Sequence, residues 1–226
     1  MSRTLDPVAH AARRDEYVDA AEALLRQGGC AALNVQDVIA AAGGSKGGFY
    51  HYFASKQDLL AAVVERMTSR TADAVRVLVD GSGDAVTTFA AVVHAMPAGQ
   101  PGNRELMLAL LQVWYADDNA ALREATRQAS HAALRPSLET LLARGRDEGA
   151  FEVGPAAGAS DVLATLLLGM SDAAARSWLA RQRGEITLDE GLVVLESYAD
   201  AAERMLGVAP GTAFPRSPEL VRSWLE

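Results

Sequence analysis

Ser45, Lys46, Tyr50, His51 and Lys56 fall within twelve consecutive residues and bring together a hydroxyl, a phenol, an imidazole and two ammonium groups. Groups of this kind donate hydrogen bonds and positive charge, which suits gripping a nucleic-acid backbone and touching base edges. On a helix they separate by face. Phe49 and Phe53, four apart, point to one side, while Lys46 and Tyr50, also four apart, point to another, with Gly47 and His51 along an adjoining strip. Aromatics can then pin the helix to its neighbours while polar groups face outward. The unpaired amides at the start of such a helix also suit a phosphate. Gly47 and Gly48 in a first helical turn cost roughly 1 kcal/mol each relative to alanine. That cost is understandable where a backbone must approach a phosphate closely.

Positioning these groups requires a compact set of short helices. A first helix is expected from about Val8 to Gln27, with Val18, Ala21, Leu24 and Leu25 facing inward, stopped by Gly28-Gly29. Asn34, with Asp37 three residues on, caps a short second helix whose buried stripe is Val35, Val38 and Ile39. Gly43-Gly44 makes a turn, and Ser45 caps a third helix to about Tyr52. Ser55, followed by Asp58, opens a long fourth helix to about Val79. A short apolar helix, a glycine turn and a polar second helix form a helix-turn-helix, a shape that enters a DNA major groove.

Further helices are expected at about Ala85–Ala95, Asn103–Ala116, Asn119–Arg146, Ala159–Arg183 and Leu188–Leu206. Pro136 should kink the helix it falls in or divide it in two. No period-two pattern persists, so the fold class is all-α, and the tail from Gly207, with Pro210, Pro215 and Pro218, should be irregular. The expected division is residues 1–55 as a helix-turn-helix DNA-binding domain, 56–207 as a larger helical domain, and 208–226 as a tail.

At 226 residues, half of them hydrophobic, the chain can bury a full core, and its few aromatics favour helix-on-helix packing. The net charge of −8 looks wrong for a DNA-binding protein until it is divided. Residues 1–70 hold eight basic and eight acidic side chains, so the acidic excess lies beyond them, where it discourages nonspecific DNA contact. The only lysines are Lys46 and Lys56. The charged first twenty residues carry no secretory signal, and the longest uncharged stretch, Ala85–Asn103, is broken by prolines and glycines that exclude a membrane span. A single cysteine, Cys30, excludes an intrachain disulfide and fits the cytoplasm, with Cys30 as an apolar plug after the first helix. No phosphate loop, nucleophile elbow or metal-binding histidine pair is present, so no catalytic residue, metal site or cofactor is expected, and the chain is not expected to be an enzyme. His10, His94 and His131 stand alone in sequence and are read as structural or surface groups.

The order and spacing of Tyr17–Ala21, Leu24, Gly29, Val35, Val38, Ala42-Gly43, Ser45-Lys46-Gly47, Phe49-Tyr50-His51-Tyr52-Phe53, Ser55-Lys56 and Leu59-Leu60 resemble the TetR family of bacterial transcriptional regulators. The resemblance covers about the first quarter of the chain. It implies a homodimer of about nine helices per subunit, with three small helices on DNA and a larger helical domain for ligand binding and dimerisation. By position it implies that Lys46 and Lys56 grip phosphates, that Tyr50 and His51 touch phosphates or base edges, and that Ser45 caps the helix. Gln36 stands where many relatives carry an arginine. Gly44 replaces the usual apolar turn residue and Gly48 a common threonine or serine, which suggests fewer base contacts from the recognition helix.

Two further groups follow. Met107, Leu111 and Trp114 lie on an apolar stripe that ordinarily means core; the resemblance makes them, with Phe89, candidates for lining a ligand pocket. In the last two helices Leu192, Leu195, Ala199 and Ala202 face a stripe with Leu166, Gly169, Met170 and Ala173, and four such helices across a two-fold axis would form a dimer interface. Burial within one subunit would use the same stripes. The function these features favour is a ligand-responsive repressor, released from a near-palindromic double-stranded DNA operator by a small-molecule inducer. The alternatives are a TetR-like activator, or a helical binding protein or enzyme with an incidental helix-turn-helix.

Overall fold

The computed structural model describes residues 7–28, 33–96, 106, 109–111, 115 and 120–214. Among these there are eight helices and no strand: α1 (Pro7–Gly28), α2 (Val35–Ala41), α3 (Lys46–Tyr52), α4 (Lys56–Asp80), α5 (Ala85–Ala95), and then Ala120–Asp147, Ala156–Gln182 and Leu188–Leu206. Residues 106 and 109–111 are also helical, within the span expected from Asn103 to Ala116. Cys30, Met107 and Trp114 lie outside the described residues.

The chain forms two compact units, residues 1–67 with 105–123 and residues 68–104 with 124–226. In the first, Tyr17, Val18, Ala21 and Leu25 of α1 pack with Val38 of α2 and with Phe49 and Phe53 of and after α3. Leu59, Leu60 and Val63 from the start of α4 and Leu106 and Leu110 are buried in the same core, so the early turns of α4 belong with this unit. Arg66 of α4, 17% exposed at its side chain, pairs with Asp15 (2.8 Å) and Asp19 of α1, tying the two helices along their edges.

In the second unit the helices Ala156–Gln182 and Leu188–Leu206 pack on each other. Gly169 sits under Tyr198, where a Cβ would come within 2.8 Å of the ring. The Leu188–Leu206 helix begins with a full capping box, Thr187 accepting from the Glu190 amide and Glu190 from the Thr187 amide. The Glu190 carboxyl is held below its ordinary range, chiefly by that backbone hydrogen bond from Thr187. It ends at Gly207, whose φ of +71° is the left-handed conformation that glycine adopts without a Cβ penalty. Pro136 neither divides nor ends its helix, which runs unbroken from Ala120 to Asp147. The proline and Ala132, the residue whose carbonyl it leaves unbonded, are both exposed, so water can satisfy that carbonyl.

Residues 207–214 are non-helical, as expected from their glycine and proline content, yet they are tightly held. The carboxylate of Glu203, 1% exposed, accepts hydrogen bonds from the amides of Gly211 (2.8 Å), Ala213 (3.0 Å) and Phe214 (3.0 Å). Phe214 in turn stacks edge-on against Phe89, 5.3 Å between centroids, with Phe151 on another side of Phe89 at 6.4 Å. Replacing Glu203 with alanine strands three amides, two of them in buried bonds. The expected loss is about 3 kcal/mol of stability, seen as a lower midpoint in denaturant, with glutamine recovering part of it.

Candidate nucleic-acid interface

The helix-turn-helix is assembled from local caps. Asn34 Oδ1 accepts from the Asp37 amide at 2.9 Å to start α2. Its end is closed by Gly43 in the left-handed conformation, φ +58°, with the Gly44 amide donating to the Ile39 carbonyl at 2.9 Å. A residue with a Cβ at position 43 would be strained there. Ser45 then takes extended dihedrals and its Oγ accepts from the Gly48 amide at 3.0 Å. Ser55 opens α4 the same way, accepting from the Asp58 amide at 3.1 Å.

These caps fix which faces of α3 look in and out. Phe49 is fully buried and Phe53 is 3% exposed. Lys46, Gly47, Tyr50 and His51 are exposed, with Tyr50 keeping 50% of its surface. Gln36 is exposed on α2, Gly48 is half-buried, and Lys56 is half-buried at the first position of α4. The polar face read from the sequence is thus present as an outward face. Among the described residues, no group of three or more His, Cys, Asp or Glu side chains is placed to hold a metal ion. No helix among them is long and apolar enough to cross a membrane.

Three residues of α1 join this site that the sequence alone did not assign to it. Arg13 reaches the turn between α2 and α3, donating to the carbonyls of Ala42 (3.2 Å) and Gly43 (3.1 Å). Its guanidinium also lies 5.3 Å from the centre of the Tyr17 ring and pairs with Glu16. That hydrogen bond to Glu16 is the main reason its pKa is raised above the ordinary arginine value. His10, read as a structural or surface group, meets the end of α3: its ring lies 5.5 Å from that of His51 and 4.6 Å from that of Tyr52. Tyr17, 1% exposed, stands edge-on to Phe49 at 5.6 Å. No sequence periodicity could have found these pairings, because they join residues on different helices, roughly thirty to forty positions apart.

The two glycines of α3 differ. Around Gly47 a Cβ would meet nothing within 4 Å, whereas at Gly48 it would lie 3.0 Å from the Tyr17 hydroxyl. Open approach to the backbone is therefore a property of Gly47, and Gly48 is occupied from within.

The remaining candidates fall in both units. Phe89 is fully buried in the second unit, and Leu111 is buried in the first. Met170, Ala173, Leu195 and Ala202 are buried within the single chain, while Leu166, Gly169, Leu192 and Ala199 are half-buried. The exposed large apolar side chains on these two helices are Val162 (50%), Val193 (60%) and Val194 (40%).

Residues 18–63 match the model of the bacterial regulatory proteins, tetR family. No curated protein matches the chain. Among solved structures, a TetR transcription regulator from Haloarcula marismortui shares 21% identity over 87% of this chain and 97% of its own, with a TM-score of 0.61. The transcriptional regulator FadR from Bacillus subtilis, solved with stearoyl-CoA, shares 18% identity over 81% and 96%, TM-score 0.56. SmeT, solved with triclosan, shares 24% over 92% and 99%, TM-score 0.56. Residues 18–63, which include Lys46, Tyr50 and His51, are thus similar to the tetR-family model, and the chain has the fold of solved TetR regulators.

Proposed function

We propose that this chain is a DNA-binding transcriptional regulator that acts as a cytoplasmic homodimer on a near-palindromic operator and is released by a small molecule. The observation that carries the reading is the two-faced α3. Phe49 and Phe53 anchor it, and Lys46, Tyr50 and His51 are left outward at one end of a capped helix-turn-helix. In this reading residues 1–55 contact DNA, residues 56–207 bind ligand and dimerise, and Gln36 adds a contact from α2. Dimer half-sites then lie about one helical turn apart or slightly more. Lys56 contributes a phosphate contact. Lys56→Ala should weaken binding to all sequences alike and flatten the dependence of log affinity on log salt by roughly one unit, measured by anisotropy titration across a salt series.

The small molecule is expected to be mainly apolar. The second unit has an apolar interior, with Phe89, Val92, Val93, Leu138, Leu141, Leu142 and Leu163 buried, so a cavity opened there would bind by desolvation with few polar anchors. Solved proteins of the same fold hold stearoyl-CoA and triclosan, one a long acyl thioester and the other a small chlorinated aromatic. Release requires differential binding to the DNA-competent and DNA-incompetent states, so an inducer should weaken operator affinity several-fold to about a hundredfold. Operator DNA must weaken the inducer by the same factor, which calorimetry with and without the operator duplex measures. Ligands that raise the melting temperature but all leave operator affinity unchanged would leave a constitutive regulator.

A further inference from the structure

Tyr17 occupies space that side chains on the helix-turn-helix would otherwise fill. A Cβ built on Gly44 overlaps its phenol, with Cε1 and Cζ each 2.9 Å away and the hydroxyl closer still. At Gly48 the nearest atoms are the Tyr17 hydroxyl at 3.0 Å and Ser45 Oγ at 3.2 Å. Gly44 ends the turn and Gly48 lies in the first turn of α3, so one buried ring from α1 touches both segments that set the helix's pose. The ring is itself fixed, 1% exposed, edge-on to Phe49 and, at 6.3 Å, to Phe53, with the Arg13 guanidinium 5.3 Å from its centre. Lys46, Tyr50 and His51 project from the outward part of the same short helix.

We propose that Tyr17, Gly44 and Gly48 are a size-matched set that fixes the height and tilt of α3 over α1, making Tyr17 a positioning residue for sequence-specific DNA binding. The inference rests on the reading of α3 as the DNA-reading helix. Interiors are packed too tightly to absorb a methyl group at these distances without movement. Ring and helix cannot both hold their places once a side chain enters at position 44. Hydrogen bonds to base edges weaken steeply beyond about 3.2 Å, so a displacement of an ångström at the helix is read out as lost specificity. The absence of a side chain at 44 and 48 is then the counterpart of a large residue at 17.

The contacts make an atom-level test. Gly44→Ala, Gly48→Ala, Tyr17→Phe, Tyr17→Leu and the four combinations of one glycine and one tyrosine change are compared with the wild type. Operator duplex, selected from a random pool by the wild type, and unrelated duplex are titrated at a temperature where circular dichroism shows every variant folded. Gly44→Ala should lower the ratio of operator to unrelated-DNA affinity by roughly tenfold, and Gly48→Ala by less. Tyr17→Phe removes only the hydroxyl, so it should restore Gly48→Ala and leave Gly44→Ala impaired, because Cε1 and Cζ remain. Tyr17→Leu should restore both. A residue that merely filled the core would change melting temperature and leave this ratio unmoved in the folded variants. Wild-type specificity in Gly44→Ala, or rescue by Tyr17→Phe that does not distinguish the glycines, overturns the proposal. Failure of the wild type to select any DNA is a different outcome: it removes the DNA-reading role of α3 and with it the positioning role assigned to Tyr17.

Discussion

Glutamate at both Val193 and Val194 is expected to give a folded monomer whose operator affinity falls by roughly 10²–10⁴-fold, the loss that follows when two linked half-sites can no longer be engaged together. Both valines are exposed on the Leu188–Leu206 helix, so charge there should cost the single chain little. In a dimer built on the last two helices the same charges would be buried without partners. Sedimentation velocity and circular dichroism on the same samples separate the two effects. The choice of residues matters. Leu195→Glu or Gly169→Arg, which the sequence stripes would suggest, would damage the monomer first, since Leu195 is 3% exposed and Gly169 lies under Tyr198. A wild type that sediments as a stable monomer at micromolar concentration would contradict the dimer.

Lys46→Ala and Tyr50→Ala are expected to be the most damaging single changes on the outward face of α3. If each removes a contact worth about 1–3 kcal/mol to a base or phosphate, operator affinity falls roughly five- to 150-fold. Tyr50→Ala should also relax preference at one base position, while Lys46→Ala should reduce the salt slope. Lys46 is exposed, so its removal should shift stability by less than about 0.5 kcal/mol, and that of Tyr50, half exposed and edge-on to Phe49 at 5.3 Å, by roughly 1 kcal/mol. Parallel thermal melts therefore distinguish lost contacts from lost structure. Unchanged operator affinity in both variants would move the interface elsewhere.

Much of the helical architecture was legible because its determinants are local. Asn34, Ser45, Ser55 and Gly43 each act within four residues, and the alternation of Phe49 and Phe53 against Lys46 and Tyr50 follows from helical period alone. The long-range half was not legible. Arg13 holding the turn carbonyls, His10 against His51, and Tyr17 against Gly44 and Gly48 depend on how α1 lies across α2 and α3. Fewer base contacts at Gly44 and Gly48 and phosphate clearance at Gly48 are what the sequence suggests; that both glycines face a buried phenol is visible only in the packing. The tail shows the same limit. Over residues 207–214 the composition matches the irregular segment observed, residues 215–226 lying outside the described ones, but the buried Glu203 carboxylate that gathers the amides carries no sequence signature. In the last two helices, Leu195 and Ala202 fit a dimer seam and an intrachain core equally well by periodicity, and the single chain already buries them.

The most direct test of the account is selection of bound fragments from a random double-stranded pool by the wild-type chain, with Tyr50→Ala run beside it. The wild type should enrich an inverted repeat whose half-sites are spaced by about one helical turn, and Tyr50→Ala should enrich it weakly or with a relaxed position. No enrichment by the wild type, or the same enrichment by both proteins, would contradict the account.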